Sequence, residues 1–229
     1  MGGGLTETKA AISWSGGKDS SLALQEVSRA GDLKVACLLT TLTRDFNRIS
    51  MHGVRRDLLM KQALSLRLSI DEVWIKQGAS NDEYSAAMDL AMLRQRDNGV
   101  THVVFGDIFL EDIRRFREER LSKAGMQGVF PLWKKDTRKL ATRFVKDGFK
   151  AVVCAVDPKA LGAGYCGREF DESFLSDLPP SVDPCGENGE FHTFVYGGPI
   201  FEEEISVQKG EAVFRDGFCF TDLSLVDYR

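Results

Sequence analysis

Ile12-Ser13-Trp14-Ser15-Gly16-Gly17-Lys18-Asp19-Ser20-Ser21 joins a short apolar run, Lys9 to Trp14, to a stretch from Asp19 to Arg29 with Leu22, Leu24 and Val27 at helical spacing. The order this predicts is strand, glycine turn, helix. Glycines let the backbone approach an anion closely, and the following helix N-terminus turns free N–H groups and a positive dipole toward the same spot. Lys18 adds a full charge, and the hydroxyls of Ser15, Ser20 and Ser21 add donors. Ser15, Gly16, Gly17, Lys18, Asp19 and Ser20 are therefore expected to cradle a phosphate, with Lys18 facing the ligand and not the core. The spacing is not G-x-x-x-x-G-K-[ST], which disfavours enzymes that cleave at the γ-phosphate. A glycine turn with an incidental lysine leaves the matching residues unexplained.

Outward from this loop, β-type runs alternate with helix-type stretches. Val35 to Leu42 reads as a second strand, Gly53 to Leu68 as a helix, and Glu72 to Lys76 as a third strand. Asn81 caps a helix running to about Asn98, Val100 to Gly106 is a fourth strand, and Leu110 to Ala124 is a charged helix stopped by Gly125. Strands separated by helices imply right-handed crossovers and a mostly parallel sheet covered on both faces, with ligands beyond the carboxyl ends of the strands. After Gly128 to Trp133 the texture changes. Thr137 to Lys146 is helical and Phe149 to Val156 is a strand. Glycines and prolines crowd Gly162 to Gly189, and four β-rich segments follow: Glu190–Tyr196, Ile205–Lys209, Ala212–Arg215 and Phe218–Val226. The expected architecture is α/β, a doubly wound domain over residues 1–130 followed by a smaller α+β domain over residues 131–229.

Composition narrows the class. A hydrophobic share of 43% and a charged share of 28% are those of a soluble globular protein. With 30 Lys and Arg against 34 Asp and Glu, the net charge of -4 makes no case for gripping a long nucleic acid. No apolar run approaches the ~20 residues that span a bilayer. Met1 to Thr8 reads as a flexible glycine leader without signal-peptide features. The five cysteines are scattered, and Cys37, Cys154 and Cys219 lie in apolar strand-like runs as reduced core residues, which points to the cytoplasm.

Ser15-Gly16-Gly17-Lys18-Asp19-Ser20 resembles the PP-loop of the ATP pyrophosphatase superfamily, whose adenine nucleotide alpha hydrolase-like fold matches the expected sheet. A second series of residues narrows the resemblance. It comprises Gly106-Asp107-Ile108, Arg114 and Glu118, Pro131-Leu132-Trp133, Phe149 to Val153, Val156-Asp157 and Gly186-Glu187-Asn188-Gly189-Glu190-Phe191-His192-Thr193. In this order they resemble the diphthine–ammonia ligase family, from about Ala10 to Ile200. The chain departs from the family pattern in two places, the late motif and the arginine-rich helix. Asn188 replaces a glycine of the family's glutamate–glycine–glycine–glutamate motif, and His192 stands where an acid is common. Phe116 also replaces a basic residue in the arginine-rich helix.

The resemblance implies a carboxylate adenylated by ATP with release of pyrophosphate, then attacked by ammonia. ATP and magnesium are the implied cofactors, and ammonium and an acceptor acid on a protein or small molecule the implied partners. The chain shows no glutaminase features, and the sequence admits a homodimer. Lys18, Asp19, Glu187, Glu190 and His192 become candidate catalytic groups, and Arg114, Glu187, Asn188, Glu190 and His192 candidate substrate contacts. The residues alone leave several readings open. His52, at the start of the helix after the second strand, borders the nucleotide or is a surface group. Asp107 holds magnesium with Asp19, binds substrate beside Gly106, or caps a helix. Arg114 meets substrate or pairs with Glu118 on a solvated helix. The late motif is a polar turn or a set of groups that orient an amine and take its proton. Three other functions remain: a PP-loop enzyme acting on another small acid; a nucleotide-binding regulator, which intact Lys18 and Asp19 disfavour; and a tRNA-modifying enzyme, which lacks its basic domain here.

Overall fold

The computed structural model describes residues 8–226, so the expected glycine leader lies, but for Thr8, outside the described residues. Strand β1 (Lys9–Ser13) has a face to fill on each side. Ala10 and Ile12 enter one hydrophobic cluster and Ala11 the other, all fully buried. β1 pairs in parallel with β2 (Lys34–Thr43) on one edge and β5 (Val100–Val104) on the other. Outside these lie β4 (Ser69–Ile75) against β2 and β6 (Gln127–Val129) against β5, both parallel. The short β3 (Arg48–Ile49) turns back antiparallel at the end of β2.

The helices divide between the two faces. Leu22, Leu24 and Val27 of α1 (Lys18–Ala30) and Leu58, Leu59 and Ala63 of α2 (Arg56–Ser65) join Ile12. Ala91 and Met92 of α3 (Asn81–Asp97) and Leu121 of α4 (Glu111–Lys123) join Ala11. The sheet is thus doubly wound, as expected. The chain leaves β1 for β2 and β4 on one side and crosses to β5 on the other. The switch in strand order therefore falls between β1 and β5, where such sheets bind ligands.

The rest of the chain builds a four-stranded antiparallel sheet in the order β8–β7–β10–β9, from β7 (Lys150–Val156), β8 (Phe191–Gly197), β9 (Val207–Arg215) and β10 (Phe218–Leu225). Helices α5 (Thr137–Lys146) and α6 (Glu172–Asp177) accompany it. Asp216 and Gly217, both with positive φ (51° and 84°), make the two-residue turn that matches the twist of the β9–β10 hairpin. Buried Phe144, Phe170, Phe174, Phe191 and Phe194 belong to the same cluster as the α1 and α2 residues, so one core runs through both sheets.

Some boundaries differ from expectation. The helix read from Gly53 starts at Arg56, because Gly53 sits at φ +68°, in the left-handed region, and His52 and Gly53 form a turn. Ser80, not Asn81, caps α3, in a reciprocal capping box with Glu83. The segments around Lys209 and Ala212 are one strand, β9, carried through Gly210. Cys37, Cys154 and Cys219 are buried as expected, and all five cysteines are free. Among the described residues no helix is long and apolar enough to cross a membrane.

Candidate active site

The glycine loop follows β1 at the switch point. Gly16 adopts φ +78°, and a Cβ there would come within 2.9 Å of the Gln62 amide oxygen. Gly17 is the extended N-cap of α1 and, without a side chain, leaves the first turn uncapped from within. The missing acceptor comes from β8, where Thr193 Oγ1 accepts from the Lys18 amide at 3.0 Å. Val195 N donates to Gly16 O at 2.9 Å, so β8 lies directly on the loop. At the end of β5, Gly106 has the Asp19 backbone where a Cβ would stand, 2.8 Å away. Its lack of a side chain is a packing requirement of the first turn of α1.

Two expectations about the loop are corrected. Ser20 and Ser21 turn inward, buried, and donate to Gly17 O at 2.9 and 3.0 Å. Lys18 does not face open space: it is 2% exposed, pairs with Asp19 Oδ2 at 2.8 Å and donates to the Cys185 carbonyl. Its ammonium lies 5.3 Å from the centre of the Phe191 ring. Burial opposes its charge, but Asp19, Cys185 and Glu187 outweigh that and hold its pKa above the ordinary lysine value.

The segment from Asp183 to Glu190 is braced by two carboxylates. Asp183 Oδ1 accepts from the amides of Cys185 and Glu187 at 2.9 and 3.2 Å. Glu190, only 6% exposed, accepts from Asp183 N, Asn188 N and the Asn188 side-chain amide, each at 3.0 Å. Glu190 and Asn188 were candidate substrate contacts; here they spend these groups on their own loop. Glu187 is the acid that projects outward. Its Oε1 accepts from Ile108 N at 2.7 Å and Phe109 N at 3.3 Å, beyond the end of β5. Burial, reinforced by the charge of Asp19, pushes its carboxyl from 4.5 up to about 7.

His52 and His192 stack with centroids 4.5 Å apart. His52 Nδ1 lies 3.3 Å from Thr193 O, a group that only accepts, so Nδ1 carries the proton. Burial, with the Lys18 charge, lowers His192 to about 4, and burial with His192 and Lys18 lowers His52 well below 6.5. Both rings are neutral at pH 7. A Cβ on Gly17 would lie 3.0 Å from His52 Cε1, which makes the histidine pair a wall of the loop.

Asp107 follows Gly106 and forms an ion pair at 3.0 Å with Arg117, a residue the sequence did not single out. Arg114 lies 4.6 Å from the centres of both Phe130 and Trp133 and donates to Glu118 at 2.8 Å, the bland pairing anticipated for it. Gln62 also escaped notice. Its signal was a glutamine on the apolar stripe of α2, beside Leu58, Leu59 and Ala63. Next to the histidines, the turn Ser50–Gly53 lines a cleft of about 340 Å³ between the ends of β2 and β4 and the tip of the β9–β10 hairpin. Phe46, Met51, Tyr84, Phe218 and Phe220 give it apolar walls, and Arg215 lies over Phe46 and Phe220 at 4.6 and 4.9 Å.

A glycine loop at the switch point of a doubly wound sheet, closed by a second sheet, defines a PP-loop type of α/β enzyme that uses ATP. Residues 8–128 match the family model of the diphthamide synthase N-terminal domain and residues 136–224 that of its C-terminal domain, and the chain belongs to this family. It is similar to the diphthine–ammonia ligase of Homo sapiens, 25% identical over an alignment of 238 positions, gaps included, that spans 93% of this chain and 88% of that protein. The diphthine–ammonia ligase of Danio rerio is also 25% identical, over 93% of this chain and 92% of its own length. That of Schizosaccharomyces pombe is 29% identical over 109 residues, 45% of this chain and 18% of its own. The chain is accordingly an ATP-dependent carbon–nitrogen ligase.

Proposed function

We propose that the protein adenylates an acceptor carboxylate with ATP, releases pyrophosphate, and lets ammonia displace AMP to form an amide. The observation that carries this reading is the closure of the Asp183–Thr193 segment onto the glycine loop, through Thr193 on the Lys18 amide and Glu187 on the amides after β5. The anion cradle and a carboxylate pushed up to about 7 then lie close enough for Glu187 to feel the charges of Lys18 and Asp19.

A carboxylate is a poor electrophile, and esterification to AMP supplies the leaving group. The acceptor oxygen attacks the α-phosphorus, and the bond to the bridging oxygen of pyrophosphate breaks. The positive N-terminal end of α1 and the Gly17 amide, held only by a long bond to Ser15 Oγ, stabilise charge on the departing pyrophosphate, with Lys18 beneath them. Ammonium must lose a proton to become a nucleophile, and Glu187 accepts it at neutral pH. The neutral histidine pair walls the loop without adding charge. The cleft beside the Ser50–Gly53 turn takes the adenosine, its size falling in the range of small-ligand sites.

Asp19 Oδ1 is buried without a hydrogen-bond partner, and one or two carboxylates beside phosphates are the usual protein contribution to a magnesium site. Asp19, with Asp107, would hold the ion, which when bound offsets charge on the leaving group. Among the described residues no three His, Cys, Asp or Glu side chains form a ready metal site, so phosphate oxygens complete the set. Residues 1–130 bind the nucleotide in this scheme, and residues 131–229 present acceptor and ammonium. The acceptor named in the relatives is diphthine, and we take it, or a related acid, as the acceptor here. Five free cysteines support a reducing, cytoplasmic setting. Chromatography of the nucleotides formed with acceptor and ammonium tests the scheme: AMP and pyrophosphate are expected in equal amounts. ADP and orthophosphate as main products would overturn it.

A further inference from the structure

Gln62 is fully buried on α2, yet its side chain makes three hydrogen bonds to three separate segments. Nε2 donates to Gly16 O at 2.9 Å and to Val195 O at 2.6 Å, and Oε1 accepts from Trp14 Nε1 at 2.9 Å. This pattern fixes which end of the amide is which, because two carbonyls demand the NH₂ and an indole N–H demands the oxygen. Gly16 O also receives Val195 N at 2.9 Å, so this carbonyl is held by two donors. In a planar trans peptide the next N–H points opposite to the carbonyl. Pinning Gly16 O toward Gln62 therefore turns the Gly17 N–H the other way, where it now meets Ser15 Oγ at 3.3 Å, a long bond that an anion can replace. Gly16 at φ +78° has no Cβ to hold this peptide plane by sterics, and the hydrogen bonds hold it instead.

We infer that Gln62 is a positioning residue that aims the Gly16–Gly17 peptide at the pyrophosphate moiety and couples that aim to the docking of β8. The inference rests on the reading of the glycine loop as the phosphate cradle. It assigns to α2 a part in the chemistry that no motif in the sequence marks. When β8 is seated, Val195 supplies one donor to Gly16 O and one acceptor to Gln62, so the cradle is complete only in the docked arrangement.

The test uses inorganic pyrophosphate as the probe, with the full-length protein and calorimetry. Gln62→Met keeps the length of the side chain and deletes all three bonds. Leu59→Ala, on the same helix and buried in the same core, lowers stability without touching the loop. Pyrophosphate affinity is expected to fall about tenfold or more in Gln62→Met and to stay within about twofold in Leu59→Ala. Equal affinity in Gln62→Met and the wild type, or an equal loss in both variants, would overturn the proposal. Should Gln62→Met fail to fold, Trp14→Phe deletes the indole donor that orients the amide, along with part of the buried ring. A loss of about threefold is expected there, and no loss overturns the inference. Failure of the cradle reading itself is distinct: the wild type would then not bind pyrophosphate.

Discussion

Among the acids near the loop, Glu187 differs from Glu190 in what its oxygens meet, and the difference sorts their roles. Glu187 accepts from two amides of the other half of the chain and is pushed up to about 7, chiefly by burial. A general base with this value is half-deprotonated at neutral pH, where proton transfer is most effective. Ammonium-dependent turnover is expected to rise with pH through a limb near 7. Glu187→Gln should erase that limb, lower the rate by about 10²–10⁴, and leave ATP affinity within about threefold, read from pH–rate profiles of pyrophosphate release beside calorimetry. The sign for stability follows from the same direction. The folded pKa lies above 4.5, so the folded chain binds the extra proton between pH 4.5 and 7. Stability from this group is present below about 4.5 and declines as pH rises toward 7, a slope that Glu187→Gln should remove in urea unfolding.

At the scale of elements, the loop Asp183–Glu190 is a rigid piece built on Asp183 and Glu190. Glu190→Gln would turn an NH₂ toward donors in place of a carboxylate oxygen, leaving at least one of the three bonds unmade in a buried site. We expect a stability loss of about 1–3 kcal/mol together with loss of acceptor-dependent pyrophosphate release. Thermal unfolding measured beside turnover checks this. Unchanged stability with lost activity would return Glu190 to a direct role. The strand–glycine–helix order, the alternation of Ala10, Ala11 and Ile12 and the apolar spacing on α1 are local, and they specify the parallel sheet correctly. β3, β6 and α6 escaped because they are two, three and six residues long, too short to show a period. The late motif was legible as a cluster of acids in a glycine turn, but not which of them face inward and which outward. Which oxygen faces which amide depends on a fold that brings residue 187 beside residue 108. Lys18 was misread for the same reason: nothing local announces that Cys185 closes over it.

For the whole molecule, the two sheets share one hydrophobic core and are joined by a polar seam. Arg48 and Arg55 of the first part converge on Asp222 of β10, with contacts of 2.9 and 2.6 Å. Beside them a Cβ on Gly53 would lie 2.7 Å from the Phe220 ring, so the Ser50–Gly53 turn and the hairpin are in direct contact. The hairpin tip also walls the cleft proposed for adenosine, which links this seam to the proposed site. Hydrogen bonds and charge from the two arginines hold the Asp222 carboxyl down at about 2, against an ordinary 3.8. Its folded pKa is depressed, so its contribution to stability is present above about 3.8 and is lost as pH falls through about 2. The carboxylate is partly exposed, and solvent screening limits that contribution to about 1 kcal/mol. Asp222→Asn should therefore lie below the wild type by about this amount from pH 4 to 7, with the gap closing as pH falls through about 2 and the Asp222 carboxylate takes up its proton. Urea unfolding of both proteins across this range measures the difference, in which the titration of every other carboxylate cancels. A gap that persists unchanged at pH 2 would mean that packing of the hairpin, and not the charge on Asp222, holds the seam.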